Sequence, residues 1–279
     1  PSSAPSQSFN LIRTEKGRRK GTNLQKNFRF HLYFDTMGEG KRFGVLHCAE
    51  DSEYVKRKYG GYFGVFVQML GEDGEFWKVY KVAAGEFPGD HELAEFDGFV
   101  ITGSCNDAHG NDAWICRLLI LLKKLDSMKK KVRGICFGHQ ILGRLLGGTV
   151  AKSKTGWDVG FRKINISPHS KFSTLKVPSQ LNIIQFHRDE VRDLPPKAEV
   201  VGWSEKTGIE MFSYGDHIMG IQGHPEYNND LLLHLINRLL HRNLISENDF
   251  DEQRMKLLGY EADKEAWRRM CTSFLKGRL

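Results

Sequence analysis

Two short stretches of this chain hold residue types able to do covalent chemistry. In "GICFGHQ", residues 134–140, Cys136 lies between a β-branched apolar run and the helical spacing of Ile141, Leu142, Leu145 and Leu146. A strand, a cysteine and a helix with almost no loop between them, bracketed by Gly134 and Gly138, match the nucleophile-elbow pattern. The sharp turn lifts one side chain off the top of a sheet, and the glycines permit strained backbone and close approach. The following helix aims its free N–H groups and positive dipole end at the sulfur, which favours thiolate. The N–H of Phe137 is placed to donate to an oxyanion formed beside that sulfur. Taken alone, the stretch reads equally well as a buried cysteine used as a small hydrophobe.

The second stretch is "GIQGHPEY", residues 220–227, which ends a strand with His224 and Glu226 two positions apart. In extended chain, residues i and i+2 project to the same side, so the carboxylate can sit against the imidazole. A nucleophilic thiol needs a base to take its proton and return it to the leaving group, and a third group to orient that base. An isolated His-x-Glu is usually an incidental polar pair. Joined to the elbow, it completes a thiol–imidazole–carboxylate set.

The elements that must position these residues alternate. From residue 42, "RFGVLHC" reads as a strand and "DSEYVKRKYGGYFGVFVQML" as one helix capped by Asp51 or Ser52. "FWKVYKVA" is a second strand, and "LAEFDGFVITGS" leads into a third, apolar enough for burial on both faces. "DAWICRLLILLKKLDSM" is a helix, "KKVRGIC" the strand entering the elbow. Strands separated by helices imply parallel βαβ units with right-handed crossovers. Beyond residue 149, short Gly-punctuated strands predict a sheet-rich, partly antiparallel half. "DLLLHLINRLLHRNLI" and a charged terminal helix close the chain.

Composition narrows the function classes. Of the net charge of +7, +5 belongs to residues 1–36 and only +2 to the rest, so the basic character is that of a tail and argues against nucleic-acid binding. No apolar run approaches the roughly 18 residues of a membrane helix. Five widely spaced cysteines without a C-x-x-C pair argue against a disulfide scaffold or zinc site and for a reducing compartment, the cytosol. Residues 1–36 are expected to be a disordered basic extension, a leader ahead of Met37 or a targeting remnant, and residues 37–279 a single domain with C-terminal helices. "YGGYFGVF" lacks the G-K-S/T of a phosphate loop. Asp107 and His109 read as a capping loop or as part of a substrate mouth, and Arg162 and Lys163 as candidate partners for a peptide carboxylate.

"GICFGHQ" with a later "GHPE" resembles the class I glutamine amidotransferase family over residues 42 to 245. Within it, "SEYVKRKYGGYFGVFVQMLGEDGEFW", "FDGFVITGS", "MKKKVRGICFGHQI", "IQGHPEYN" and "SFLKGRL" resemble the plant γ-glutamyl peptidases. The resemblance implies an α/β, flavodoxin-like three-layer sandwich with a central mostly parallel sheet and a small antiparallel sheet. It implies a catalytic triad of Cys136, His224 and Glu226, with Gly103, Ser104 and Phe137 at the oxyanion hole and Gln140 holding the glutamyl end of the substrate. Where the family often has proline after that Gly-Ser, this chain has Cys105. His187 and Asp189, in "HRDEV", are expected to support the site rather than react. The implied reaction is cleavage of the γ-glutamyl amide of glutathione or its S-conjugates through a γ-glutamyl thioester. It needs no metal, cofactor, nucleic acid, membrane or synthetase partner, its only partner being the small γ-glutamyl peptide. A glutaminase subunit supplying ammonia to a separate synthetase is the alternative.

Overall fold

The computed structural model describes residues 11–13, 40–248 and 261–279. Its strands are β1 (Leu11–Arg13), β2 (Arg42–Leu46), β3 (Phe76–Tyr80), β4 (Gly98–Ile101), β5 (Lys131–Ile135) and β6 (Thr149–Lys152). They continue as β7 (Asp158–Ile166), β8 (Gln180–His187), β9 (Asp189–Asp193), β10 (Ala198–Trp203), β11 (Met211–Tyr214) and β12 (Ile218–Ile221). Ten of them form one sheet in the order β1-β3-β2-β4-β5-β12-β11-β10-β7-β8, and β6 pairs with β9 in a small antiparallel sheet. The five strands β3, β2, β4, β5 and β12 run parallel, and β11, β10, β7 and β8 extend the sheet antiparallel. This is the parallel core that the alternation of strands and helices predicts, in the flavodoxin-like arrangement that the resemblance implies, and it carries an antiparallel wing. β1 lies in the segment expected to be disordered, yet pairs with β3 from Leu11↔Lys78 to Arg13↔Phe76. The rest of the 1–36 expectation falls outside the described residues.

The period-2 alternation of the parallel strands explains the layers. On one face Phe43, Val45, Val100, Ile135, Met219 and Ile221 pack with helices α2 (Gly61–Leu70) and α7 (Lys264–Leu275). On the other face Leu46, Phe99, Ile101, Val132 and Ile218 pack with α3 (Asp90–Glu95), α4 (Ala113–Ser127) and α5 (Phe137–Leu145). The antiparallel wing is covered by α1 (Glu53–Tyr59) and α6 (Asn229–His241), with Val55, Leu231 and Leu235 packed on Val159 and Ile184. Among the described residues, no helix is long and apolar enough to cross a membrane.

One expected helix is two. "DSEYVKRKYGGYFGVFVQML" breaks at Gly60, which takes φ 72° and ends α1, and α2 begins with Gly61 at φ 80°. Each half has its own cap: Ser52 Oγ accepts from Val55 N at 3.3 Å, and Asp51 Oδ1 accepts from Tyr62 N at 2.8 Å. The two residues considered for one cap therefore serve two helices, and the break turns Tyr62 toward the ends of the parallel strands.

Candidate active site

Cys136 follows β5 and begins α5, with φ 52° and ψ −103°, a conformation costly for a side chain that bears Cβ. The flanking glycines make that turn possible. A Cβ on Gly134 would lie 2.2 Å from the Gly138 carbonyl oxygen, and one on Gly138 would lie 2.6 Å from that of Ile101. Helix, elbow and neighbouring strand meet at backbone contact, so the sulfur stands at the carboxyl ends of the parallel strands. This is where open α/β sheets place their ligands. Cys136 is 6% exposed and lines a cleft, so its thiol is tucked in but reachable.

His224 arrives just after β12, the strand that pairs with β5. Its own N–H donates to Ile184 O at 2.7 Å, which ties it to β8. Its Nδ1 lies 2.8 Å from Glu226 Oε1, and its other side is hydrogen-bonded to Cys136. Burial alone would pull its pKa down. The carboxylate of Glu226 and the sulfur of Cys136 outweigh that and raise it to about 10. The Tyr227 ring stacks on the imidazole at a centroid distance of 3.9 Å and 7° between planes. With one nitrogen on the carboxylate and the opposite face on tyrosine, the ring has one orientation. The expected i, i+2 juxtaposition is present in space, and such a set can form a thiolate–imidazolium pair and pass a proton to a leaving amine.

The loop after β4 closes the other side. A Cβ on Gly103 would approach His224 Cε1 to 3.0 Å and Cys136 Cβ to 3.7 Å, so this glycine abuts both. Ser104 Oγ accepts from the Asn106 backbone N–H at 3.1 Å and from Asn106 Nδ2 at 3.0 Å, which curls the loop around Cys105. Phe137 puts its N–H at the open first turn of α5, while its buried ring stacks on Trp114 at 5.5 Å. Gln140 lines the cleft, but its amide nitrogen is taken by Asp189 O at 2.8 Å and Gln222 Oε1 at 3.2 Å.

The Asp189 carbonyl also meets His187 Nδ1 at 3.0 Å, so Gln140 and His187 are braced by one backbone oxygen. Burial holds the His187 pKa down at about 4, leaving a neutral imidazole in the wall behind the sulfur. The Asp189 carboxyl, raised by burial and by the nearby Asp107, faces His109 Nδ1 at 3.4 Å. Asp107, His109 and Asp189 offer ligand atoms within 4.8 Å of one another, a spacing that could hold a metal ion, while Lys152 Nζ stands 3.9 Å from Asp107 Oδ2. The "NDAHG" loop is thus part of the cleft mouth rather than a helix cap alone.

One expectation fails. Arg162 is folded back on Asp158, with Nε at 2.9 Å and Nη2 at 2.7 Å from Oδ1, and Lys163 is exposed on the wing, so neither reaches the cleft. Tyr62, Tyr227, Trp157, Phe186, Arg238 and Arg242 line it instead, in a volume of about 330 Å³. Tyr227 follows "HPE" directly and was within reach of motif reading. Arg238 and Arg242 look like ordinary helix-end cations until the helix is placed.

A thiol, an imidazole and a carboxylate so placed at the ends of a parallel sheet are what a cysteine hydrolase requires, and comparison gives the family. Residues 60–238 match the model of the glutamine amidotransferase class-I family, and the chain belongs to it. It is 47% identical over 247 residues to gamma-glutamyl peptidase 5 of Arabidopsis thaliana, covering 87% of this chain and 98% of that protein. It is 44% identical to gamma-glutamyl peptidase 3 of the same plant, with coverages of 85% and 97%. A glutamine amidotransferase crystal structure from Thermotoga maritima shares the fold at a TM-score of 0.65, with 20% identity over 86% of this chain and 98% of that one.

Proposed function

We propose that this protein is a γ-glutamyl peptidase that hydrolyses the γ-glutamyl amide bond of glutathione or its S-conjugates. The observation that carries the reading is the convergence of the Cys136 sulfur, the His224 imidazole and the Glu226 carboxylate in one cleft, with Gly103 against both sulfur and ring. The similarity to proteins named gamma-glutamyl peptidases supports the bond type.

In this reading the Cys136 thiolate adds to the γ-carbonyl, and its former thiol proton resides on His224. The tetrahedral oxyanion takes hydrogen bonds from the Phe137 N–H and the backbone of the Gly103–Ser104 loop. Loss of one such donor typically raises the barrier by roughly 3–4 kcal/mol. His224 then gives its proton to the departing amide nitrogen, the C–N bond breaks, and Cys-Gly or its S-substituted form leaves a γ-glutamyl thioester. Water, deprotonated by His224, attacks the thioester carbonyl. Glutamate is released and the thiol is restored. Glu226 keeps Nδ1 protonated, so that Nε2 faces the sulfur, and holds the imidazolium throughout. Gln140, His187 and Asp189 brace the walls.

The test is incubation of the purified chain with glutathione and, separately, with glutamine, following free glutamate and Cys-Gly. Cys136→Ala should abolish Cys-Gly release and leave the thermal transition unchanged. Retained turnover in that variant would refute the nucleophile.

A further inference from the structure

α6 places a second chemistry in the same cleft. Leu235, Arg238, Leu239 and Arg242 follow i, i+3, i+4, i+7 spacing, one stripe of that helix and its cap, and all four line the cleft that holds Cys136. Arg238 is half-buried and Arg242 exposed, and no carboxylate among the described residues forms an ion pair with either. The acidic groups of the cleft lie elsewhere: Glu226 on His224, Asp107 and Asp189 around His109, and Glu50 exposed at the rim. A helix C-terminus favours a cation through its dipole, but that does not require both arginines to fall on the cleft-facing stripe.

Their position relative to the sulfur is set by a chain of contacts. His224 bonds Cys136, Tyr227 stacks on His224, and Tyr62 hydrogen-bonds Tyr227 at a centroid separation of 6.3 Å. The positive charge of Arg238 acts on the Tyr62 hydroxyl. Arg238 is therefore linked to the His224 imidazole through the Tyr62–Tyr227 pair, within the same cleft. A histidine that protonates the departing nitrogen must have the leaving group on its own side. A leaving dipeptide reaches roughly 7 Å from its amine to its carboxylate, so that carboxylate is held by groups of the cleft wall beyond the catalytic imidazole.

We infer that Arg238 and Arg242 form a leaving-group subsite that takes the terminal carboxylate of the departing dipeptide. They make this chain selective for γ-glutamyl peptides ending in a free carboxylate two residues beyond the scissile bond. The inference rests on the peptidase reading for the direction of the substrate in the cleft. Guanidinium–carboxylate hydrogen bonds are charge-assisted and, with two such groups, geometrically selective. Glutamine offers no such carboxylate, because its leaving group is ammonia.

Binding can be measured without turnover. In a Cys136→Ala background, titration calorimetry with γ-Glu-Cys-Gly and with its C-terminal amide should show the acid bound on the order of ten- to a hundredfold more tightly. Adding Arg238→Gln and Arg242→Gln should bring that ratio close to one, while Arg238→Lys with Arg242→Lys should keep a clear preference for the acid. Circular dichroism of each variant checks that the fold is retained. Equal affinity for acid and amide in the Cys136→Ala protein, an unchanged ratio after the glutamine substitutions, or no binding of either peptide would overturn the subsite. Turnover of the tripeptide by the intact chain is scored separately: preferential binding without hydrolysis would refute the peptidase reading and leave the subsite standing.

Discussion

His224 Nδ1 lies 2.8 Å from Glu226 Oε1, with both side chains almost wholly withdrawn from solvent. In that setting the carboxylate does more than orient the ring. Burial would otherwise leave the imidazole neutral, and Glu226, together with Cys136, raises its pKa to about 10. Glu226→Gln keeps an acceptor for Nδ1–H but removes the charge. The His224 pKa should fall, and with it the pH above which His224 can no longer protonate a leaving amine. The expected result is a loss in kcat of roughly 10²- to 10⁴-fold and an alkaline limb of the pH–rate profile displaced to lower pH. A profile that keeps its alkaline limb would show that Glu226 does not set the proton affinity of the ring.

The glycines around the sulfur serve two different purposes, and alanine substitution separates them. At Gly138 an added Cβ meets the Ile101 backbone oxygen at 2.6 Å, and neither helix nor strand can yield locally. Gly138→Ala should destabilise the whole fold by roughly 1–3 kcal/mol, seen as a lower urea midpoint. At Gly103 the Cβ meets the edge of the His224 ring at 3.0 Å, a contact that a small rotation of the ring relieves. Gly103→Ala should keep the urea midpoint and lose activity on the order of a hundredfold, because misplacement of reacting groups is felt in rate before stability. Equal effects of the two substitutions on the midpoint would contradict this division.

Much of this site was legible in the sequence because its signals are local. A β-branched run, Gly-x-Cys-x-Gly and a helical apolar stripe state the elbow within a dozen residues, and His224–Glu226 is an i, i+2 relation in extended chain. The parallel core was likewise written as strands alternating with helices. What sequence reading missed depends on how the chain is bent and placed, which residue type and spacing do not record. Arg162 looked available until β7 brought Asp158 beside it, four residues away on the same strand. Arg238 and Arg242 gained meaning only when α6 was laid along the cleft. The break at Gly60 was masked because Tyr59 and Tyr62 continue a helical apolar pattern; a positive φ at either glycine leaves no trace in hydropathy.

That break has a consequence of its own. Asp51 caps α2 through the Tyr62 N–H at 2.8 Å and also faces His47 Nε2 at 3.4 Å, both of which hold its carboxyl below the usual range against the opposing effect of burial. The stability it contributes is present above the ordinary Asp pKa and is lost as pH falls through the lowered value. Asp51→Ala should cost about 1 kcal/mol at neutral pH, with the difference from the parent shrinking in acid. Because Tyr62 backs Tyr227 and hence His224, the same variant should also lower kcat/KM. A pH-independent stability difference would mean that the carboxylate is not the cap.

Two cations buried on the α7 face of the sheet should respond to neutralisation in opposite directions. Lys276, in the terminal "SFLKGRL", is fully buried, with Nζ 2.6 Å from Glu75 Oε1, 3.3 Å from Glu72 Oε2 and 2.8 Å from Leu70 O. It pins the end of the chain to the α2–β3 turn, and removal would leave Glu75 buried without its cation. Lys276→Met should therefore cost roughly 3–5 kcal/mol. Arg133, on β5 between Val100 and Met219, is also fully buried and near Cys271, yet none of its guanidinium nitrogens meets a hydrogen-bond partner among the described residues. A desolvated charge without such a partner opposes folding, and methionine has a similar reach without the charge. Arg133→Met should raise the melting temperature while Lys276→Met lowers it, both followed by thermal denaturation at one pH. A lower melting temperature for Arg133→Met would show that the buried guanidinium stabilises this fold.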